Sequence, residues 1–136
     1  MKMSKEVVRQ IVTKRFQTFT GLADTLKAYP NRPDVKIPAT GLWARLVINF
    51  VTADVAGIGV DPYVRRTGVI SITVYAHKNA GVRDIIELTD QLEEWFQFYS
   101  EGSFYTDAAN TVLDDEPDVH YEAVVYIPFS FDPCGS

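Results

Sequence analysis

A run of eight residues, Val69–Ala76, constrains the fold more than any other segment of this chain. β-Branched residues dominate the run, and apolar side chains alternate with polar ones, as in a half-buried β-strand. The apolar face holds Ile70, Ile72 and Val74, and the polar face holds Ser71, Thr73 and Tyr75. The sequence therefore predicts a strand here, with one side packed against a core.

A helix is predicted soon after this strand. Lys78–Gly81 breaks the alternation, and the apolar residues beyond it recur at the spacing of an α-helix of about five turns. The members of this apolar stripe are Ile85, Ile86, Leu92, Trp95 and Phe96. No catalytic motif accompanies the strand and the helix, so the pattern predicts a fold and no chemistry.

Three further segments complete the predicted elements. Ser4 is a suitable N-cap for a first amphipathic helix, and Gly21 is well placed to end it. Leu42–Val51 alternates, as expected of an antiparallel strand with one apolar face. His120–Phe131 alternates again, and Pro128 within it predicts an edge position or a bulge, because proline cannot donate a ladder hydrogen bond.

Size and composition predict one soluble domain, residues 1–136, of the α+β class. The chain has 136 residues and 46% hydrophobic content, enough to build a core. We find no apolar run of the roughly eighteen residues that a membrane span needs, and no signal-peptide core at the N-terminus. The one cysteine, Cys134, excludes an internal disulfide, so we expect synthesis in a reducing cytoplasm without export.

Charge is distributed unevenly along the chain. Residues 1–68 contain 11 Lys and Arg against 5 Asp and Glu, and residues 69–136 contain 2 against 13, so the net charges are +6 and −11. Folding either interleaves the two halves or leaves basic and acidic surfaces on different sides of the domain. The second arrangement favours head-to-tail contacts between copies, which close into rings when the rotation allows. Scattered basic residues on an acidic chain do not indicate specific nucleic-acid recognition.

The connection between the two predicted central strands, Thr52–Val64, is thirteen residues long and partly apolar. Most hairpin loops have about two to five residues, so a longer connection tends to be functional or mobile. Its apolar residues are Val55, Ile58, Val60 and Tyr63. Two interpretations stay open: the loop becomes ordered against a partner, or it folds back over its own sheet as a lengthened hairpin.

Two arginines, Arg65 and Arg66, stand at the end of this connection, just before the central strand. Side chains at that position are exposed but anchored. They either pair with carboxylates of a neighbouring copy or act as an ordinary solubilising loop end.

Residue types that carry chemistry occur here without the spacing that chemistry needs. Gly57-x-Gly59 lacks the third glycine and the following helix of a dinucleotide fingerprint. Cys134 lies in a tail where no rigid shell can hold it against a base. The acidic loop Asp114–Asp118 lacks the spacing and central glycine of a calcium loop, which favours a solvated loop. We therefore expect no catalytic residue, metal or cofactor.

Several segments, in a fixed order, carry a likeness to a known family. They are the first helix ending near Gly21, Tyr29-Pro30-Asn31, Trp43-x-Arg45, the strand from Arg66-Thr67-Gly68 to Tyr75, Gly81 before the second helix, and Ile127-Pro128-Phe129-Ser130-Phe131-Asp132. In this order of elements the chain resembles the tail terminator (tail completion) proteins of long-tailed bacteriophages.

The resemblance implies an antiparallel β-sheet with two α-helices packed on one face and a long β-hairpin loop. It also implies a ring of six copies that caps the growing tail tube, ends its polymerisation and presents a surface to the head-side connector. The partners would be the chain itself, the tube protein and the connector, at the head-proximal end of the virion tail after assembly from the host cytoplasm. The interface residues would be Arg45, Val55, Ile58, Val60, Tyr63, Arg65 and Arg66.

In such a ring, acidic side chains in the lumen would repel DNA phosphates and let the genome slide. The candidates for this lining are Asp114, Asp115, Glu116 and Asp118. Two alternatives remain: a head–tail connector or other minor tail or neck protein with the same fold, and a small ligand-binding or catalytic α+β protein. The second needs a pocket between sheet and helix, whereas the residues predicted there are mostly Ile, Val, Leu and Phe, which favour a filled core.

Overall fold

The computed structural model of the chain describes residues 3–29, 41–55, 64–77, 82–114 and 120–133. Two α-helices lie in this part, α1 (Lys5–Gln17) and α2 (Val82–Phe96), with a short 3-10 turn at Asp24–Leu26. The strands are β1 (Lys27–Ala28), β2 (Leu42–Val55), β3 (Val64–His77), β4 (Ser100–Glu101), β5 (Phe104–Thr106), β6 (Asn110–Asp114) and β7 (His120–Phe131). Neither described helix is both long and apolar enough to cross a membrane.

All seven strands belong to one sheet in the order β1-β2-β3-β7-β5-β4, and β6 also pairs with β7. The pairings among β2, β3, β7, β6, β5 and β4 are antiparallel. β1 instead runs parallel to β2, with Lys27 opposite Ala44 and Ala28 opposite Arg45. The α+β class is confirmed, and the expected antiparallel sheet is corrected to a mixed one, because two residues before Tyr29 join its edge in the parallel sense.

The pairing register of β2, β3 and β7 explains why both helices share one hydrophobic core. The pairing places Leu46, Ile72 and Val125 side by side across β2, β3 and β7, and every second residue from there falls on the same face. Those residues are buried in one cluster with the apolar residues of α1 and α2. Both helices therefore pack on one face of the sheet, as the resemblance implies.

The first helix begins where the sequence predicts and ends earlier. Ser4 is the N-cap, and its side chain accepts a hydrogen bond from the Val7 amide at 3.1 Å. The helix stops at Gln17, before Gly21, so the predicted glycine end is wrong. A physical reason lies in Lys27, whose ammonium donates to main-chain carbonyls at the end of the helix and closes it there.

The second helix is shorter than predicted, at fifteen residues or about four turns. Ile85 is buried, whereas Ile86 is 46% exposed, so Ile86 does not belong to the core stripe. Successive helical residues are about 100° apart, and only one of the two neighbours can face the sheet.

The long connection between β2 and β3 is partly strand. Beyond a bulge at Phe50 and Thr52, pairing continues to Val55 opposite Val64. The interpretation as a lengthened hairpin is thus confirmed as far as Val55, and the expected thirteen-residue loop is wrong at both ends. Ile58, Val60 and Tyr63 lie outside the described residues.

The last strand is interior, which corrects the expectation of an edge or a bulge at Pro128. β7 pairs with β3 along one side and with β6 and β5 along the other. The Pro128 carbonyl accepts a hydrogen bond from the Asp107 amide at 2.9 Å. Because the amide and carbonyl of one strand residue point the same way, the missing proline donor faces the break between β5 and β6. The ladder tolerates the proline at that point for this reason.

Candidate assembly surfaces

The face of the sheet opposite the helices, called the helix-free face below, carries exposed apolar side chains. The residues of this face, apolar and polar together, include Arg45, Val47 and Asn49 on β2, Ser71, Thr73 and Tyr75 on β3, Val112 on β6, and Glu122, Val124 and Tyr126 on β7. Val47 and Tyr126 are each 38% exposed and Val112 is 53% exposed. Among the described residues no helix covers this face, so a surface with apolar and polar groups is open to contact.

One end of the helix-free face is aromatic. Trp43 stacks on Tyr75 with ring centroids 5.3 Å apart and also contacts His77, and it is 8% exposed although it lies on the face that the helices leave uncovered. Burial raises the pKa of Tyr75, the Glu122 carboxylate raises it further, and Arg45 opposes this shift. A neutral phenol is therefore favoured beside the tryptophan.

The predicted interface arginines do not form one patch. Arg45 is exposed and lies opposite Thr73 in the register, whereas Arg65 is exposed at the start of β3, opposite Asp54. Eight residues of β3 separate the two levels, which corresponds to roughly 26 Å along the strand. Arg66 is half-buried next to Arg65. Because successive strand residues point to opposite faces, Arg65 lies on the helix-free face and Arg66 on the helix-covered face, and Arg45 lies near the other end of the sheet.

Of the predicted acidic lining, the described residues include Asp114 alone. It is the last residue of β6 and pairs in register with Glu122, at the aromatic end of the helix-free face. The rest of that lining, Asp115, Glu116 and Asp118, lies outside the described residues.

The charge asymmetry of the sequence survives in the helices and is lost in the sheet. β3 pairs with β7 from Arg66 to His77, which interleaves the two halves of the chain. α1 carries four basic residues and one acidic residue, a net charge of +3, whereas α2 carries one basic and five acidic residues, a net charge of −4. Since both helices lie on one side of the sheet, that side carries one basic helix and one acidic helix.

A reciprocal contact joins the C-terminal ends of the two helices. The Arg15 guanidinium lies 4.1 Å from the Trp95 ring centroid and 4.0 Å from that of Tyr99. It donates to the Trp95 carbonyl through Nε at 3.1 Å and Nη2 at 2.6 Å. The Trp95 indole donates to the Arg15 carbonyl at 2.8 Å. The basic helix is thereby held to the acidic one.

A cleft of about 400 Å³ lies beside α1, close to this contact. Its lining residues are Val7, Gln10, Ile11, Lys14, Arg15, Thr18, Tyr99 and Glu101. The Tyr99 hydroxyl donates to Glu101 at 2.8 Å. Burial raises the pKa of Tyr99 and this hydrogen bond raises it further, whereas Arg15 opposes the shift. The cleft therefore combines apolar walls with charged groups of both signs.

The turn after α2 exposes an aromatic ring. Phe98 is 72% exposed, and its backbone has φ 55°, in the left-handed region that favours glycine. Sequence reasoning missed Phe98, Arg15 and Lys27. Nothing in the sequence marks a phenylalanine as left-handed, and the arginine and lysine carry no motif.

The described residues contain no cluster of three or more side chains that could hold a metal ion. His77 contacts the ring of Trp43 at 5.0 Å, so its known neighbours are aromatic. What the described surface offers is area, shape and charge for contact with another molecule.

Comparisons with known proteins support the fold. No protein-family profile matches the chain, and no curated protein matches it. One solved structure, of a protein that bears only a serial designation, covers 96% of this chain and 96% of its own. The TM-score is 0.71 at 15% sequence identity. At that identity the likeness shows a shared α+β fold alone.

Proposed function

We propose that the protein is a structural virion component that assembles as a homo-oligomeric ring and caps the tail tube of a long-tailed phage. The observation that carries the proposal is the opposite charge of the two helices on one side of the sheet, +3 on α1 and −4 on α2. The identity of the virion and the position at the tail end rest on the resemblance of the sequence to tail terminator proteins.

Head-to-tail assembly follows from this charge arrangement. The exposed Lys14 of one copy approaches the exposed Asp90 of the next, and each copy keeps one basic and one acidic surface for its two neighbours. Two different surfaces on one chain make a heterologous contact, which closes into a ring when the rotation between copies allows. Opposed charges speed the encounter and set its orientation.

The helix-free face then remains for the other components of the tail. Its exposed Val47, Val112 and Tyr126 give an apolar centre, and Arg65 and Arg66 stand at the hairpin end where they pair with carboxylates of the tube or of a neighbouring copy. Asp114, the last residue of β6, lies at the other end of the sheet, and in the ring it belongs to the acidic lining of the DNA channel.

Size-exclusion chromatography with light scattering across salt concentrations tests this proposal. We expect the mass to rise well above 15.3 kDa at low salt and to fall as salt screens the contact. Lys14→Glu and Asp90→Lys should each reduce assembly, and the double variant should recover it. Asp107→Lys, an exposed charge reversal outside both helices, serves as the control. A mass that responds to the control and not to the helix variants contradicts the proposal.

A further inference from the structure

The helix-free face carries opposite charges on the two sides of its central strand. Arg45 on β2 is exposed and Glu122 on β7 is half-buried, and β3 lies between these two strands. Arg45 pairs in register with Thr73 and Glu122 with Tyr75, so the two charges are only one same-face position apart along the strands. At this level the face is basic on the β2 side and acidic on the β7 side.

The apolar groups of the face are divided by size in the same way. Val47 on β2, Ser71 on β3 and Tyr126 on β7 form one row across the sheet. Val47 and Tyr126 are each 38% exposed. Short side chains, Ser71 and Thr73, therefore lie along the middle, with a small apolar group on one flank and a large one on the other. Such a surface is complementary to a second copy of itself in which the two flanks are exchanged.

A two-fold axis along β3, midway between two facing sheets, makes this exchange. It places β2 of one copy over β7 of the other, and every contact occurs twice. Val47 then faces Tyr126 of the second copy, and Arg45 lies over Val124 with the Glu122 carboxylate one same-face position away, within reach of a long side chain. A two-fold axis across the strands would instead place β2 over β2 and β7 over β7, so that like charges meet.

We propose that two free copies pack their helix-free faces together about a two-fold axis along β3, and that this pair separates before the face binds the tail. Five strands, β1, β2, β3, β7 and β6, span about 24 Å at the usual spacing, and the seven residues from Trp43 to Asn49 span about 23 Å. The footprint is about 550 Å² per copy and about 1,100 Å² for the pair. That area lies at the lower end of specific interfaces, where reversible complexes are found.

The pair and the proposed ring use different surfaces. The ring joins the charged helices through Lys14 and Asp90, whereas the pair joins the faces on the other side of the sheet. Only the release of the pair by the tail rests on the proposed function. A failure of ring assembly therefore leaves the pair in place, and a failure of the pair leaves the ring contact in place.

A cysteine on the two-fold axis tests the pair directly. Ser71→Cys, in a chain that also carries Cys134→Ser, brings two thiols opposite each other across sheets about 10 Å apart. A bismaleimide with a spacer of about 10 Å should link these chains into dimers. Ile86→Cys in the same background is the matched control: it is 46% exposed on α2, away from the helix-free face, and should stay unlinked. Equal linking of both variants, or no Ser71→Cys dimer at millimolar concentration, would overturn the proposal.

Exchange of charge between copies supplies the second measurement. In sedimentation equilibrium, Arg45→Glu and Glu122→Arg should each weaken pairing by about 100-fold, or about tenfold for each of the two symmetric contacts. An equal mixture of the two variants should pair again, because opposite charges then meet at both contacts. Mixing cannot restore a contact within one chain, so a mixture that stays monomeric contradicts the proposal, as do single variants that pair like the natural chain. Lys14→Glu, which weakens the ring contact, should leave the pair unchanged.

Discussion

Replacing Lys27 with methionine tests how the first helix is attached to the sheet. Lys27 is 2% exposed, and its ammonium donates to the carbonyls of Phe16 at 2.8 Å, Gln17 at 3.3 Å and Phe19 at 2.7 Å. Methionine keeps most of the apolar stem and removes the charge and the donors. The end of α1 then loses its main link to β1.

The expected cost follows from these bonds. Without the ammonium, the carbonyls of Phe16 and Phe19 lose the donor of the two shorter hydrogen bonds, and each loss lowers the free energy of unfolding by about 1.5 kcal/mol. Loss of a cation at the helix C-terminus adds about 0.5 kcal/mol. Burying an ammonium group requires its dehydration, which methionine avoids, so the net loss of stability falls to about 2 kcal/mol. For a chain of 136 residues we expect the melting temperature to fall by about 8 °C.

Urea unfolding followed by circular dichroism measures this loss, and an unchanged denaturant slope shows that the compactness of both states is preserved. Lys14→Met is the control, because Lys14 is exposed on the same helix and its replacement should change stability by less than about 0.5 kcal/mol. A Lys27→Met protein as stable as the natural chain would contradict this role of Lys27, since the ammonium would then be no better than an apolar group.

Three other predictions concern the sheet and the junction of the helices. Gly68→Ala should cost more than about 2 kcal/mol in urea unfolding, because its Cβ would collide with the Asn49 carbonyl and the Phe129 ring; a neutral outcome contradicts that close approach. The free energy of unfolding should fall as pH rises past the usual tyrosine pKa of 10.0, because burial raises the pKa of Tyr75 in the folded chain and the unfolded chain loses that proton first. Tyr75→Phe should make this fall less steep, and an unchanged slope would exclude Tyr75 as its source. Arg15→Lys should lower stability by about 1 kcal/mol, because lysine cannot reproduce the two-donor contact between two aromatic rings, and full stability in thermal unfolding argues against that role.

Periodicity in the sequence was enough to predict the central part of the fold. The alternation in β2, β3 and β7 determines which side chains meet the helices, because a shift of one residue would expose every apolar group. Ser4 was predictable for a similar reason, since its side chain satisfies an amide of the adjacent first turn. Both are local signals, and the structure confirms them.

Features that depend on distant partners were not predictable in this way. Lysine is a residue type usually found at the surface, and the burial of Lys27 becomes clear only when β1 lies beside the end of α1. The burial of Trp43 becomes clear only when Tyr75 lies opposite it. Pro128 suggested an edge because proline lacks a ladder donor, and only the positions of β5 and β6, which stop on either side of it, show how an interior strand tolerates it. The candidate surfaces follow the same rule. Only the strand register shows that Arg45 and Arg65 lie at different ends of the sheet, and the exposure of Phe98 depends on a backbone conformation without a sequence signal.

Electron microscopy of the purified protein at low salt tests the ring directly. We expect closed rings of uniform subunit number with a central channel, in which class averages place the basic helix of each copy against the acidic helix of the next. Open filaments, or single copies alone at concentrations where light scattering detects association, would contradict a ring built on the two helices.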